Sequence, residues 1–167
     1  MWLLVLAIVV MFVGFVAFTG APYVPSKRRE VVRALTELYP LTKNDLLVDI
    51  GSGDGVVLRE ASALGARAVG YEIQPLLWFI SAAVSRKDKN VAVKFASFWS
   101  ADLPADTTVV YTFGDARDIL KMYKKVQSEA TRLEKPLAFI SYAFEVPNVK
   151  AQRAHGAHYL YLVKPLQ

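Results

Sequence analysis

With 167 residues and a formal charge of +5, the chain has room for one domain of ordinary size and none for a separate substrate domain beside it. It contains no cysteine, which excludes disulfides, thiolate metal sites and cysteine nucleophiles together. The basic balance suits an anionic membrane surface, but Lys and Arg form no extended stripe interleaved with aromatics, so no nucleic-acid partner is expected.

In chain order, Met1 to Ala21 carries no charged residue and Trp2 to Phe18 is apolar apart from Gly14. About 20 residues at 1.5 Å each cross a hydrocarbon core of about 30 Å, so residues 1–21 read as a transmembrane anchor. A cleaved signal peptide competes with this reading but would need a basic n-region, and a buried core helix would need a polar face. Lys27, Arg28 and Arg29 follow the span and no basic residue precedes it, which predicts a single-pass protein with its domain, residues 22–167, on the cytoplasmic side.

Pro22 to Pro25 is extended, and Ser26 is placed to cap a helix that buries Val31, Val32, Leu35 and Leu38 and ends before Pro40. A first strand over Leu46 to Ile50 leads through glycines to a helix bearing Val57, Leu58, Ala61 and Leu64. A second strand, Ala66 to Tyr71, precedes a helix from Pro75 to about Ser85. Further strands are predicted at Val91 to Ala96, Thr108 to Phe113 and Leu137 to Ala143, with a helix over Ala116 to Leu133 before the last of these. After Pro147 only a short connection and one more strand, Tyr159 to Val163, fit, so the carboxyl half is abbreviated and lacks a helix. Strands alternating with helices imply a parallel α/β sheet with right-handed crossovers, and hence a ligand at the carboxyl ends of the strands. His155 and His158 flank a glycine with no carboxylate beside them, which points to a surface loop or strand, and no metal is expected.

The most informative stretch is Asp49-Ile50-Gly51-Ser52-Gly53-Asp54-Gly55, with Glu72 closing the next apolar run. Alternate glycines let the backbone turn sharply and approach a ligand, and Glu72 is placed to take the hydroxyls of a ribose. A dinucleotide fingerprint has its third glycine one position later, where this chain has Val56, and Asp49 beside the turn would repel a pyrophosphate. A ligand with a cationic end fits better. At these residues the chain resembles the class I, seven-strand, S-adenosylmethionine-dependent methyltransferases, with a Rossmann-like sheet.

That resemblance implies cofactor contacts from Asp49, Gly51, Ser52, Gly53, Asp54 and Gly55, with Glu72 and Ile73 along the ribose and purine. It also implies contacts from Ser97 and Phe98 after the third strand, although Ser97 stands where an acidic residue is usual; Phe98 or Trp99 is placed to stack on the base. The fourth strand ends in Tyr111-Thr112-Phe113-Gly114-Asp115 without an NPPY-like sequence, which argues against methylation of adenine, cytosine or glutamine amide nitrogen.

With the flanks added, namely the apolar first segment, Pro22 to Pro25, Gly70 to Pro75 and Phe98-Trp99, the chain is similar to the FAM173-type protein-lysine methyltransferases. That resemblance implies a membrane-anchored enzyme acting on lysines of membrane proteins. A lysine enters as an ammonium, and a desolvating aromatic tunnel would favour the neutral amine. Tyr23, Tyr111 and Phe113 are the candidates for that tunnel, and Asp115 for orienting the amine or capping the next helix. Two other functions stay open: methylation of a lipid or other small molecule, and a membrane-bound S-adenosylmethionine binder without transferase activity.

Overall fold

Alternating apolar segments assemble into one seven-stranded sheet with helices on both faces. The computed structural model describes Trp2 and residues 26–166. Its strands are β1 (Leu46–Ile50), β2 (Arg67–Glu72), β3 (Val91–Phe95), β4 (Val109–Thr112), β5 (Leu137–Tyr142), β6 (Arg153–His155) and β7 (His158–Val163). They lie in the order β3-β2-β1-β4-β5-β7-β6, with β7 antiparallel to both of its neighbours. The order reverses between β1 and β4, so the crevice at their carboxyl ends is where a ligand belongs.

One face of β1 carries Leu46, Val48 and Ile50 into a core with Tyr71, Phe139 and Tyr161. The opposite face carries Leu47 into a second core with Leu35, Leu58 and Tyr111. The second core is closed by α1 (Arg28–Arg33), which continues as a π-helical turn over Ala34–Leu38, and by α2 (Val56–Ala63). The first core is covered by α4 (Ile119–Arg132), which buries Ile119, Val126 and Ala130.

The remaining helix, α3 (Pro75–Ser85), turns its small polar residues inward. Ser81 and Ser85 are buried, while Leu76, Phe79 and Val84 are more than half exposed. The cause is steric: a Cβ on Gly55 would collide with Ser81 Oγ, so only a small residue lets the helix approach the turn that opens α2.

The structure corrects several expectations. The predicted transmembrane anchor over residues 1–21 falls, Trp2 apart, outside the described residues. Among the described residues no helix is long and apolar enough to cross a membrane. The longest, α4, has 14 residues and a lysine-rich face, against the roughly 20 apolar residues a span requires. The anchor is therefore no part of the described architecture, and the single-pass placement, the cytoplasmic orientation and the restriction to membrane-protein acceptors go with it.

Ser26 does not cap α1. Lys27 occupies that position without a side-chain cap, and Ser26 faces the crevice instead. The helix predicted from Ala116 begins at Ile119, because Asp115 first closes a turn that accepts from the N–H groups of Asp118 and Ile119. The final strand is the seventh, since residues 153–155 pair with its start to make a hairpin around Gly156, whose φ is +58°. Residues 143–152 join β5 to β6 without a helix.

Candidate active site

At the carboxyl end of β1 the chain leaves the sheet through residues with left-handed backbones, Gly51 (φ +69°), Gly53 (+54°) and Gly55 (+80°). The Gly51 and Ser52 N–H groups both donate to Tyr71 O, which ties the turn to the end of β2. Glu72 completes the tie from its side chain. Its Oε2 accepts from Gly53 N–H at 2.8 Å and its Oε1 from Gln74 N–H at 2.7 Å. A carboxylate offers about four lone-pair sites, so one on each oxygen is left for a ligand's hydroxyls.

Asp54 lines the cleft and also braces the turn. Its carboxylate accepts from Val56 N–H at 3.2 Å at the start of α2, and its carbonyl oxygen accepts from Arg59. Gly55 does not line the cleft. It serves as the N-cap of α2 and makes room for Ser81.

Asp49 is 3% exposed, and burial, followed by the negative charges of Glu72 and Asp54, pushes its carboxyl well above the usual carboxylate range. Such a group gains from a cationic ligand that restores its charge balance. A cleft of about 420 Å³ runs past these carboxylates. Three observations fit it to an adenosyl sulfonium ligand: a Cβ on Gly51 would project into open space, the buried Ser52 Oγ on the cleft wall has no partner, and the charged side chains lining the cleft are all carboxylates.

The other predicted positions divide. Ile73, Ser97 and Phe98 line the cleft beside the end of β2. Phe98 is held edge-on to Tyr71 at 6.4 Å and to Trp99 at 5.9 Å. Ser97 Oγ accepts from Trp99 N–H at 3.3 Å and so braces its own loop.

At the end of β4, Phe113 lines the cleft against Tyr142, with ring centroids 4.6 Å apart. Tyr111 lines the cleft from its buried floor. It is fully enclosed, and its hydroxyl lies 2.9 Å from His158 Nε2. His158 is corrected from a surface position to a buried one: it stacks on Tyr142, and burial pulls its pKa down to about 4. Asp115 is held by Arg117 at about 2, so its carboxylate is ionised and already paired. Tyr23, with Pro22 and Pro25, lies outside the described residues.

Sequence reasoning missed Ser26, Met122 and Phe144, all of which line the cleft. Met122 carries only the periodicity of an ordinary amphipathic helix, and Phe144 sits in a segment with no periodicity. Among the described residues, no group of three or more His, Asp or Glu side chains is arranged to hold a metal.

The Glu72 geometry gives a testable expectation. In Glu72→Gln one backbone N–H faces an amide NH2, a loss of about 1–2 kcal/mol. S-adenosylmethionine affinity in titration calorimetry should fall about 10-fold, and unchanged affinity would place the ribose elsewhere.

Comparison with known proteins agrees with this geometry. The family model described as the ANTKMT methyltransferase domain matches residues 49–153. An ATP synthase lysine N-methyltransferase from Xenopus laevis is 32% identical over 130 residues, covering 76% of this chain and 55% of that protein. Its Homo sapiens counterpart is 31% identical, with 76% and 53% covered. The chain thus spans about half the length of the curated relatives it matches.

Among solved structures, an RNA methyltransferase from Salinibacter ruber in complex with S-adenosyl-L-homocysteine superposes with a TM-score of 0.75 at 25% identity. The match covers 84% of this chain and 94% of that one. The chain belongs to the ANTKMT methyltransferase-domain family, has the class I Rossmann-like sheet and takes S-adenosylmethionine as its cofactor.

Proposed function

We propose that residues 22–167 form one methyltransferase domain that transfers a methyl group to the ε-amine of a protein lysine. The observation that carries this reading is an acceptor end walled by Phe113, Met122 and Phe144 and continuous with the Asp49 and Glu72 end, in a chain whose extensively aligned curated relatives include lysine N-methyltransferases.

Bound S-adenosylmethionine supplies a methyl already activated by a sulfonium. Asp49 would face the cationic amino-acid portion, Glu72 would take the ribose hydroxyls, and Ile73 and Phe98 would flank the base. The glycine turn lets the backbone lie close against the ligand.

The acceptor must arrive as a neutral amine aligned with the methyl. Apolar walls favour the neutral form by desolvation. Asp115, held at about 2, is too weak a base to remove that proton near neutral pH. At the mouth Asp115 is paired with Arg117 and Asp118 with Lys121, so both carboxylates are already compensated there.

A second reading, methylation of RNA, is favoured by the extensive superposition on the Salinibacter ruber enzyme. Incubation with methyl-labelled S-adenosylmethionine and a total extract, resolved into protein, RNA and lipid and followed by amino-acid analysis of the protein, separates these. Methyl-lysine is the expected product. Label confined to RNA or to extractable lipid would refute the lysine assignment.

A further inference from the structure

One wall of the acceptor end is held by strained backbone. Ala143, directly after β5, has φ +72°, a left-handed conformation that costs an L-residue energy which glycine escapes. The strain is held in place on both sides. Ala143 N–H donates to Ala157 O at 2.8 Å, and Ser141 Oγ–H, fully buried, donates to Phe144 O at 2.6 Å. Beyond them, Val146 N–H donates to Tyr161 Oη at 2.9 Å. Between these anchors the only large side chain that lines the cleft is Phe144, which is half-buried. Strain maintained by surrounding bonds at a cleft is a sign of positioning.

Met122, carried by α4, lines the same cleft and packs against the same core, with Thr112 Oγ1 3.5 Å from its Sδ, and Gly114 leaves space beside that sulfur. Side-chain polar atoms here are already engaged: Thr112, whose one hydroxyl proton is shared between Ile50 O and Met122 Sδ, Ser141 with Phe144 O, and Asp115 with Arg117. A planar base is read through hydrogen bonds to its edge. An alkyl chain needs only apolar walls and an open end.

We infer that Phe144, presented by the left-handed turn at Ala143, and Met122, which lines the same cleft, form the specificity gate of the acceptor channel, admitting an unbranched alkylamine and rejecting a planar base. This rests on the lysine reading given above and adds the residues that enforce it.

The test uses the full chain with S-adenosylhomocysteine. Of its three methionines, Met122 is the only one beyond residue 11, so its 13C-labelled methyl signal is readily assigned. Adding N-acetyl-lysine methylamide should shift that signal, and adenosine should not. Phe144→Ala should raise KM for the lysine acceptor about 10-fold while S-adenosylhomocysteine affinity changes less than 2-fold, and Phe144→Leu should recover part of the loss.

A shift with adenosine, no shift with the lysine derivative, or an unchanged KM in Phe144→Ala would overturn the gate. If the wild type forms no methyl-lysine at all, the lysine reading fails separately, and the resonance of Met122 still decides what the channel admits.

Discussion

Asp49→Asn is expected to weaken S-adenosylmethionine binding by at least ~100-fold and at the same time to raise the melting temperature. Asp49 is 3% exposed, and among the described residues no hydrogen-bond donor pairs with its carboxylate. The two nearest charges acting on it, Glu72 and Asp54, share its sign. Removing it takes the counter-charge from a bound ammonium, a loss of about 3–5 kcal/mol in a desolvated site.

The stability effect has the opposite sign. Folding raises Asp49 above its ordinary value of 3.8, so the native state holds this proton to higher pH than the unfolded chain does. The corresponding stability is present below 3.8 and lost as pH rises through the raised value. Asparagine does not titrate, so the variant's advantage should grow across that window and stay constant above it. Each kcal/mol relieved corresponds to roughly 2–4 °C for a domain of this size. Thermal melts from pH 4 upward, paired with calorimetric titration, check both arms. A variant that binds normally or melts lower contradicts the assignment.

Gly70→Ala carries the second large effect. Gly70 sits in the middle of β2, where an added Cβ would lie 2.5 Å from Ser52 Oγ, 2.6 Å from Leu58 Cδ1 and 2.7 Å from Ser52 Cβ. Ser52 belongs to the glycine turn and Leu58 to the buried face of α2, so neither yields without moving the cofactor loop. Overpacking of this kind costs about 1–3 kcal/mol, or roughly 3–10 °C. Cofactor affinity should fall with it, because the displaced residue lines the cleft. Adding Ser52→Gly removes two of the three collisions, so the double variant should melt higher than Gly70→Ala alone. A Gly70→Ala protein that melts like the wild type would show that the strand and turn are not packed as described.

The contrast between these residues and the acceptor channel explains what was legible in the sequence. Asp49, the glycines and Glu72 announce themselves because a sharp turn after a buried strand has strict backbone demands, written within a few consecutive positions. The parallel strands were legible for a related reason. Burial on both faces makes β1 and β5 mostly apolar, with Asp49 and Ser141 as their polar interruptions near the carboxyl ends.

The three-residue strand Arg153–His155 is too short and polar to show a period, and only its pairing with His158–Val163 defines it. His158 gave no sign of burial in sequence, because it is the antiparallel course of β7 that brings it to the carboxyl edge beside Tyr111. Met122 and Phe144 come from a helix and a loop that meet only in the folded chain. A hydrophobic run read along the first 21 residues gave a membrane span, whereas the described helices contain none long and apolar enough for one.

The central claim is that the methyl donor lies along the turn at the end of β1. A crystal structure of the full chain with S-adenosylhomocysteine tests it most directly. The ribose hydroxyls are expected on Glu72, the amino-acid portion beside Asp49 and Gly51, and the base between Ile73 and Phe98. Density for the ligand at any other surface, or a ribose with no contact to Glu72, would contradict it.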